Sequence, residues 1–100
     1  MTNVLFTLLK SPFEINELRT MEVLAKENNR GVLLFQDAVY YVTMERFRTE
    51  LLSNKYAIFA LRDELAARGF DNTSIEGVEI IDYDRAVDLI MEEYDRVVSL

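Results

Sequence analysis

Residues 31–42 read Gly-Val-Leu-Leu-Phe-Gln-Asp-Ala-Val-Tyr-Tyr-Val, and the first five of them decide the fold. Four consecutive apolar residues, Val32 to Phe35, stand between Gly31 and a polar pair. An apolar run of that length without alternation is the pattern of a strand buried on both faces, as in a parallel sheet covered by helices. Gln36 and Asp37 then fall at the C-terminal end of the strand, where open α/β sheets bind ligands or partners. Asp37 is equally a good helix cap. The following Val39-Tyr40-Tyr41-Val42 has strand propensity, but a third strand here would leave residues 44–52 to make the return crossover alone. A short helix is therefore expected after Asp37.

Toward the N-terminus, residues 3–9 (Asn-Val-Leu-Phe-Thr-Leu-Leu) read as a first strand. Ser11-Pro12-Phe13-Glu14 carries three helix-start signals: a capping serine, proline at the first helical position, and glutamate three residues after the cap. Ile15, Leu18, Met21 and Ala25 continue at helical spacing, and Asn28-Asn29-Arg30-Gly31 is the expected stop, with Gly31 as a left-handed C-cap residue. Strand, helix and strand within about 35 residues make a βαβ unit with a right-handed crossover.

Toward the C-terminus, Met44, Phe47 and Leu51 form one apolar helical stripe, with Thr43 as cap and Ser53-Asn54 as breaker. Tyr56 to Leu61 is the third strand, Arg62 to Arg68 a two-turn helix stopped by Gly69, and residues 71–77 a polar loop. Val78 to Ile81 is a shorter, half-polar strand expected near an edge. Asp82 or Asp84 starts a last helix with a core stripe of Tyr83, Ala86, Val87, Ile90 and Tyr94 and a Glu92–Arg96 pair at i,i+4. Residues 96–100 are either an edge strand or a frayed tail. The alternation predicts a single α/β domain over residues 1–100, a three-layer α/β/α sandwich around a mostly parallel sheet of four or five strands.

Composition narrows the chemistry. The chain has no cysteine and no histidine, which removes disulfides, thiolate catalysis, a Ser-His-Asp triad and conventional zinc sites. No cofactor is expected, and the prior for an enzyme falls. Residues 1–70 balance nine acids against nine bases, whereas residues 71–100 hold nine acids and two arginines, so the C-terminal third carries the whole net charge of −7. Such a surface repels phosphate backbones, and no direct nucleic-acid contact is expected. No apolar run approaches the roughly 18 residues of a membrane span, so the expected compartment is the cytoplasm, without membrane contact.

The strand ends would gather Ser11, Gln36, Asp37, Arg62, Asp63, Asp82 and Asp84. Asp37, Asp63 and Asp82 could hold Mg²⁺ through oxygen ligands, but each also stands where a helix begins, and capping alone accounts for them. Tyr40 and Tyr41 diverge by about 100° on a helix, so at least one must meet solvent, a pocket or another subunit. An aromatic ring with a polar tip suits a subunit contact.

Four stretches together resemble the TusB/DsrH family of sulfur-relay subunits: Thr7-Leu8-Leu9-Lys10-Ser11-Pro12-Phe13; Leu33-Leu34-Phe35-Gln36-Asp37-Ala38-Val39; Tyr56 to Gly69, with Phe59-Ala60-Leu61-Arg62-Asp63-Glu64-Leu65 and Ala67-Arg68-Gly69; and Val78-Glu79-Ile80-Ile81-Asp82-Tyr83. Two positions depart from the pattern: Phe6 stands where many members have histidine, and the C-terminal tryptophan common in the family is absent. The resemblance implies a DsrEFH-like fold and membership of an oligomer with paralogous DsrE/TusD-like and DsrF/TusC-like subunits, or with copies of itself. It also implies a role in persulfide transfer toward 2-thiolation of the tRNA wobble uridine or toward sulfur oxidation. The transferring cysteine of such complexes belongs mainly to the DsrE/TusD-type subunit. Lacking one, this chain is expected to be a non-catalytic subunit, with Ser11, Gln36, Asp37, Tyr40, Tyr41, Arg62 and Asp63 as signature or interface residues. The alternative is a stand-alone homo-oligomeric binding module of the same fold with no part in sulfur transfer.

Overall fold

The computed structural model describes residues 3–25, 29–70 and 74–100. The expected helix stop at Asn28 and positions 71–73 of the polar loop lie outside them. The order is β1 (Asn3–Leu8), α1 (Leu18–Leu24), β2 (Asn29–Leu34), a 3₁₀ turn (Gln36–Val39), α2 (Tyr40–Thr43), α3 (Glu45–Ser53), β3 (Ala57–Leu61), α4 (Arg62–Ala67), β4 (Val78–Ile81), α5 (Tyr83–Asp88) with a π-helical turn (Leu89–Glu93), and β5 (Arg96–Ser99). The five strands form one sheet in the order β4-β3-β2-β1-β5, and every pair is parallel. The expected α/β/α sandwich stands, with β4 at one edge and residues 96–99 as the strand at the other.

Alternation along each strand sends neighbouring side chains to opposite faces of the sheet. Val4, Phe6, Leu8, Val32, Leu34, Ile58 and Ala60 meet α1, α2, α3 and α4 in the larger core. Leu5, Leu33, Phe59, Leu61 and Ile81 form a second core on the opposite face, closed by Ala86 and Leu89 from α5 and its π turn. Each such aliphatic or aromatic side chain contributes on the order of 1.5–3 kcal/mol on burial. Val32 to Leu34 are fully buried, as a strand with helices on both faces requires.

Five local expectations are corrected. Ser11 does not cap α1: its carbonyl accepts the Glu14 and Ile15 N–H groups at 3.1 and 3.2 Å in an isolated turn, and Ile15 is exposed. The helix starts at Leu18, whose N–H donates to Asn16 Oδ1 at 3.0 Å, and from there the stripe of Leu18, Met21 and Ala25 is buried as read. Gly31 is no C-cap: β2 already starts at Asn29, and a Cβ on Gly31 would lie 2.8 Å from Tyr94 Cζ. Thr43 ends α2 and caps nothing, with Met44 in the cap position of α3. Tyr83 and Val87 leave the core, and Leu89 enters it. The Glu92–Arg96 pair does not form as a helical i,i+4 contact, because the chain is already extended at Tyr94 and Arg96 belongs to β5. By contrast, Gly69 (φ +86°) does terminate α4 in the left-handed region.

Candidate functional site

The C-terminal ends of β1, β2 and β3 lead into Ser11, Gln36-Asp37 and Arg62-Asp63, and a cross-element clamp holds the Gln36-Asp37 turn. Strand β2 ends at Leu34, and the Phe35 N–H donates to the Leu8 carbonyl at 2.9 Å, continuing the β1 edge by one bond. Gln36 then turns left-handed (φ +49°), an uncommon state for a residue with a side chain. Its N–H donates to Glu64 Oε2 at 2.6 Å. Arg68, one turn beyond Glu64, donates from Nε and Nη2 to Asp37 Oδ1 at 2.9 and 2.8 Å, and from Nη1 to the Glu64 carbonyl at 3.0 Å. Helix α4 and its C-cap residue therefore grip the turn through two side chains four residues apart.

Asp37 is thus not the cap that its position promised. It lies inside the 3₁₀ turn with an exposed carboxylate, and the first N–H of that turn is satisfied by Glu64, 28 residues away. Asp63 caps nothing either: Leu61 holds the cap position, and Asp63 sits in the first turn, where its charge favours the helix dipole. Of the three aspartates only Asp82 caps, accepting the Arg85 N–H at 2.9 Å. Among the described residues no three Asp or Glu side chains approach closely enough to hold a metal ion, so the Mg²⁺ arrangement of Asp37, Asp63 and Asp82 does not assemble. Arg62 and Asp63 are exposed beside the clamp, and Ser11 is buried.

The two tyrosines part as helical geometry requires. Tyr41 is fully buried, so it is a core residue and not the interface tyrosine. Its hydroxyl accepts the Glu17 N–H at 2.9 Å and donates to the Ile15 carbonyl at 3.1 Å, and its ring meets Phe47 edge-on. Burial, reinforced by the nearby Glu17 charge, pushes the Tyr41 hydroxyl above its ordinary pKa against the opposing pull of the Glu17 N–H. Tyr40 is half-buried, edge-on to Phe70 at 6.4 Å. The spacing of Ala38, Tyr41 and Val42 already carried this signal, since i, i+3 and i+4 share one face.

Glu64 and Arg68 are the site residues that sequence reading passed over. Arg68 stood within the quoted Ala67-Arg68-Gly69 stretch, but nothing local to it reveals a partner 31 residues earlier. A shallow hollow of about 480 Å³ lies at the opposite, N-terminal end of the strands, lined by Asn3, Arg30, Lys55 and Tyr94 among others and by none of the signature residues. The Asp37 carboxylate, the most exposed member of the clamp, is tied to Arg68.

The comparisons agree with this architecture. A family model described as DsrH like protein matches residues 10–96. The chain belongs to the TusB/DsrH family. Protein TusB of Buchnera aphidicola subsp. Baizongia pistaciae is 32% identical over 90 residues, covering 89% of this chain and 93% of that protein. Protein TusB of Photorhabdus laumondii subsp. laumondii is 27% identical over 94 residues, covering 93% and 97%. The crystal structure of the E. coli ychN protein superposes with a TM-score of 0.73 at 15% identity, covering 100% of this chain and 99% of that one, and it attests to the DsrEFH-like fold alone. The match spans the Gln36-Asp37 turn, Glu64 and Arg68 together.

Proposed function

We propose that this TusB/DsrH chain is a cysteine-less subunit of a sulfur-relay complex, a single DsrEFH-like domain acting in the cytoplasm. The observation that carries the proposal is the pairing of family membership with a signature turn that is rigidly clamped yet holds no nucleophile. Persulfide transfer needs a thiolate to attack and be regenerated, and this chain has no cysteine to supply one. The sulfur must then travel on a paralogous DsrE/TusD-like subunit, with a DsrF/TusC-like subunit completing the assembly. The role left for this chain is non-catalytic, to complete the complex and help present its partners. The destination that fits the TusB relatives is 2-thiolation of the tRNA wobble uridine. Direct contact with the tRNA is not proposed, because the acidic C-terminal third opposes it.

Clamp geometry bears on that role. A turn held by Glu64 and Arg68 presents Gln36 and the exposed Asp37 beside Arg62 and Asp63 of α4, which lowers the entropy lost on docking. The test is affinity purification of the tagged chain from its native cell, together with measurement of wobble-uridine thiolation and of sulfur oxidation after deletion of the gene. Co-purification of cysteine-bearing paralogues and loss of the 2-thio group are expected. Unchanged thiolation together with unchanged sulfur oxidation would refute the relay assignment. A stable homo-oligomer that ignores added paralogues would favour the stand-alone module instead.

A further inference from the structure

Among the described residues, one face of the sheet is packed by four helices, and the other by α5 and its π turn alone. The single helix is more apolar than its contact with the sheet requires. Ala86 and Leu89 are buried, but Tyr83, Val87 and Met91, spaced four apart along the same element, are 52%, 56% and 74% exposed. Their flank is fixed by Arg85, whose guanidinium reaches Glu79 on β4 and Glu93. Val87 lies two residues from Arg85, about 200° round the helix, and so on the side away from β4. That side looks toward β1 and β5, where Val97, in register with buried Leu5 and so on the same face, is also partly open.

Each residue of this stripe is followed directly by an acid, giving the pairs Tyr83-Asp84, Val87-Asp88 and Met91-Glu92. An apolar ridge and an acidic ridge therefore run side by side at the same spacing. Between Glu79 and Asp95 there are seven acids and one base, Arg85, which is already engaged by two of them.

We infer that the outer flank of α5 is a docking surface for a protein partner that presents apolar side chains rimmed by lysine or arginine. The acidic ridge selects this occupant among the alternatives. Nucleic acid and anionic lipid are both repelled by it. A second copy docked through the same face would set acidic ridge against acidic ridge, since a two-fold interface is self-complementary. A basic partner gains both apolar burial and electrostatic steering, which raises its association rate and makes binding salt-dependent. The inference stands on this face alone and does not depend on the relay assignment.

The test places the photo-crosslinker p-benzoylphenylalanine at Val87 or Met91 of the full chain in its native cell, with Val23, 72% exposed on α1, as the control position. Crosslinks from 87 and 91 to a partner segment carrying apolar residues beside Lys or Arg are expected. The charge-reversed Asp88→Lys/Glu92→Lys chain should lower the crosslink yield about tenfold, and the neutral Asp88→Asn/Glu92→Gln chain by less, with melting curves confirming that both fold. Raised salt should lower the yield for the unmodified chain. The inference is overturned if the complex forms but crosslinks arise only from position 23, if none arise from any position, if the captured chain is another copy of this one, or if charge reversal leaves the yield unchanged. A captured partner that meets these criteria supports the docking surface whether or not it is a sulfur-relay paralogue, and the relay assignment keeps its own test.

Discussion

Replacing Tyr41 by phenylalanine isolates the bonds by which one hydroxyl fixes the loop between β1 and α1. The ring stays, so its edge-on contact with Phe47 at 6.0 Å is retained. What goes is the bond from the Glu17 N–H and the bond to the Ile15 carbonyl. At about 1 kcal/mol net for each, the loss is about 1–2 kcal/mol. For a chain of this size, about 1.5 kcal/mol lowers Tm by roughly 6–12 °C. Tyr41→Ala adds the cavity of a fully buried ring and should cost about 3–5 kcal/mol. Urea titration reads both changes as a lower midpoint at constant slope. Hydrogen exchange should show the Glu17 N–H losing protection, and sedimentation should show an unaltered oligomer mass. A Tyr41→Phe chain with an unmoved midpoint would refute this account, as would a Tyr41→Ala chain that keeps its stability but changes mass.

Three further outcomes follow from the same structure. Burial, with the Glu22 charge adding and Arg30 opposing, pushes the Tyr56 hydroxyl up to about 12 from 10, so the unfolded chain ionises first. The stabilisation is whole below pH 10 and drains by about 2–3 kcal/mol toward pH 12. Urea unfolding at pH 8, 10 and 11 should show this slope, shallower in Tyr56→Phe but not flat, because Tyr41 and Tyr94 are raised too. At pH 7 that substitution should be nearly neutral, since the buried hydroxyl has no hydrogen-bond partner among the described residues. Gly31→Ala should destabilise by about 1–3 kcal/mol through its clash with the Tyr94 ring, and Tyr94→Leu in the same chain should recover part of that, as a double-mutant cycle in urea measures. Arg68→Ala should cost about 1 kcal/mol, because Asp37 is exposed, yet speed hydrogen exchange at the Gln36 N–H markedly. Arg68→Lys should fail to rescue it, lacking the planar fork.

The strands were legible because their signal is local and strong. Val32 to Leu34 and Ile58 to Leu61 carry it in consecutive apolar residues, and the alternation of strands with helices predicts a covered parallel sheet. What escaped was set from afar. The three helix-start signals at Ser11, Pro12 and Glu14 are sound local chemistry, but Tyr41 pins Ile15 and Glu17 from 26 and 24 residues away and delays the helix to Leu18. The polar pair Gln36-Asp37 was found by its place at a strand end, whereas its mechanism, a cap and a clamp lent by α4, has no trace in residues 31–42. The same holds for Gly31: its neighbour Tyr94 lies 63 positions along, so a residue that makes room for a ring reads locally as a helix stop.

The sheet order has a kinetic consequence. Strand β1 is interior, but its second neighbour, β5, lies some 92 residues further along. Until those residues have been synthesised and have closed a loop of nearly the whole chain, β1 offers a bare edge, and such long-range closures are slow. The waiting segment, Val4-Leu5-Phe6-Thr7-Leu8-Leu9, is six residues without charge or proline, the profile of an amyloid-forming stretch. Nascent or β5-weakened chains should therefore be captured by one another through β1, with Lys10 as the nearest gatekeeping charge.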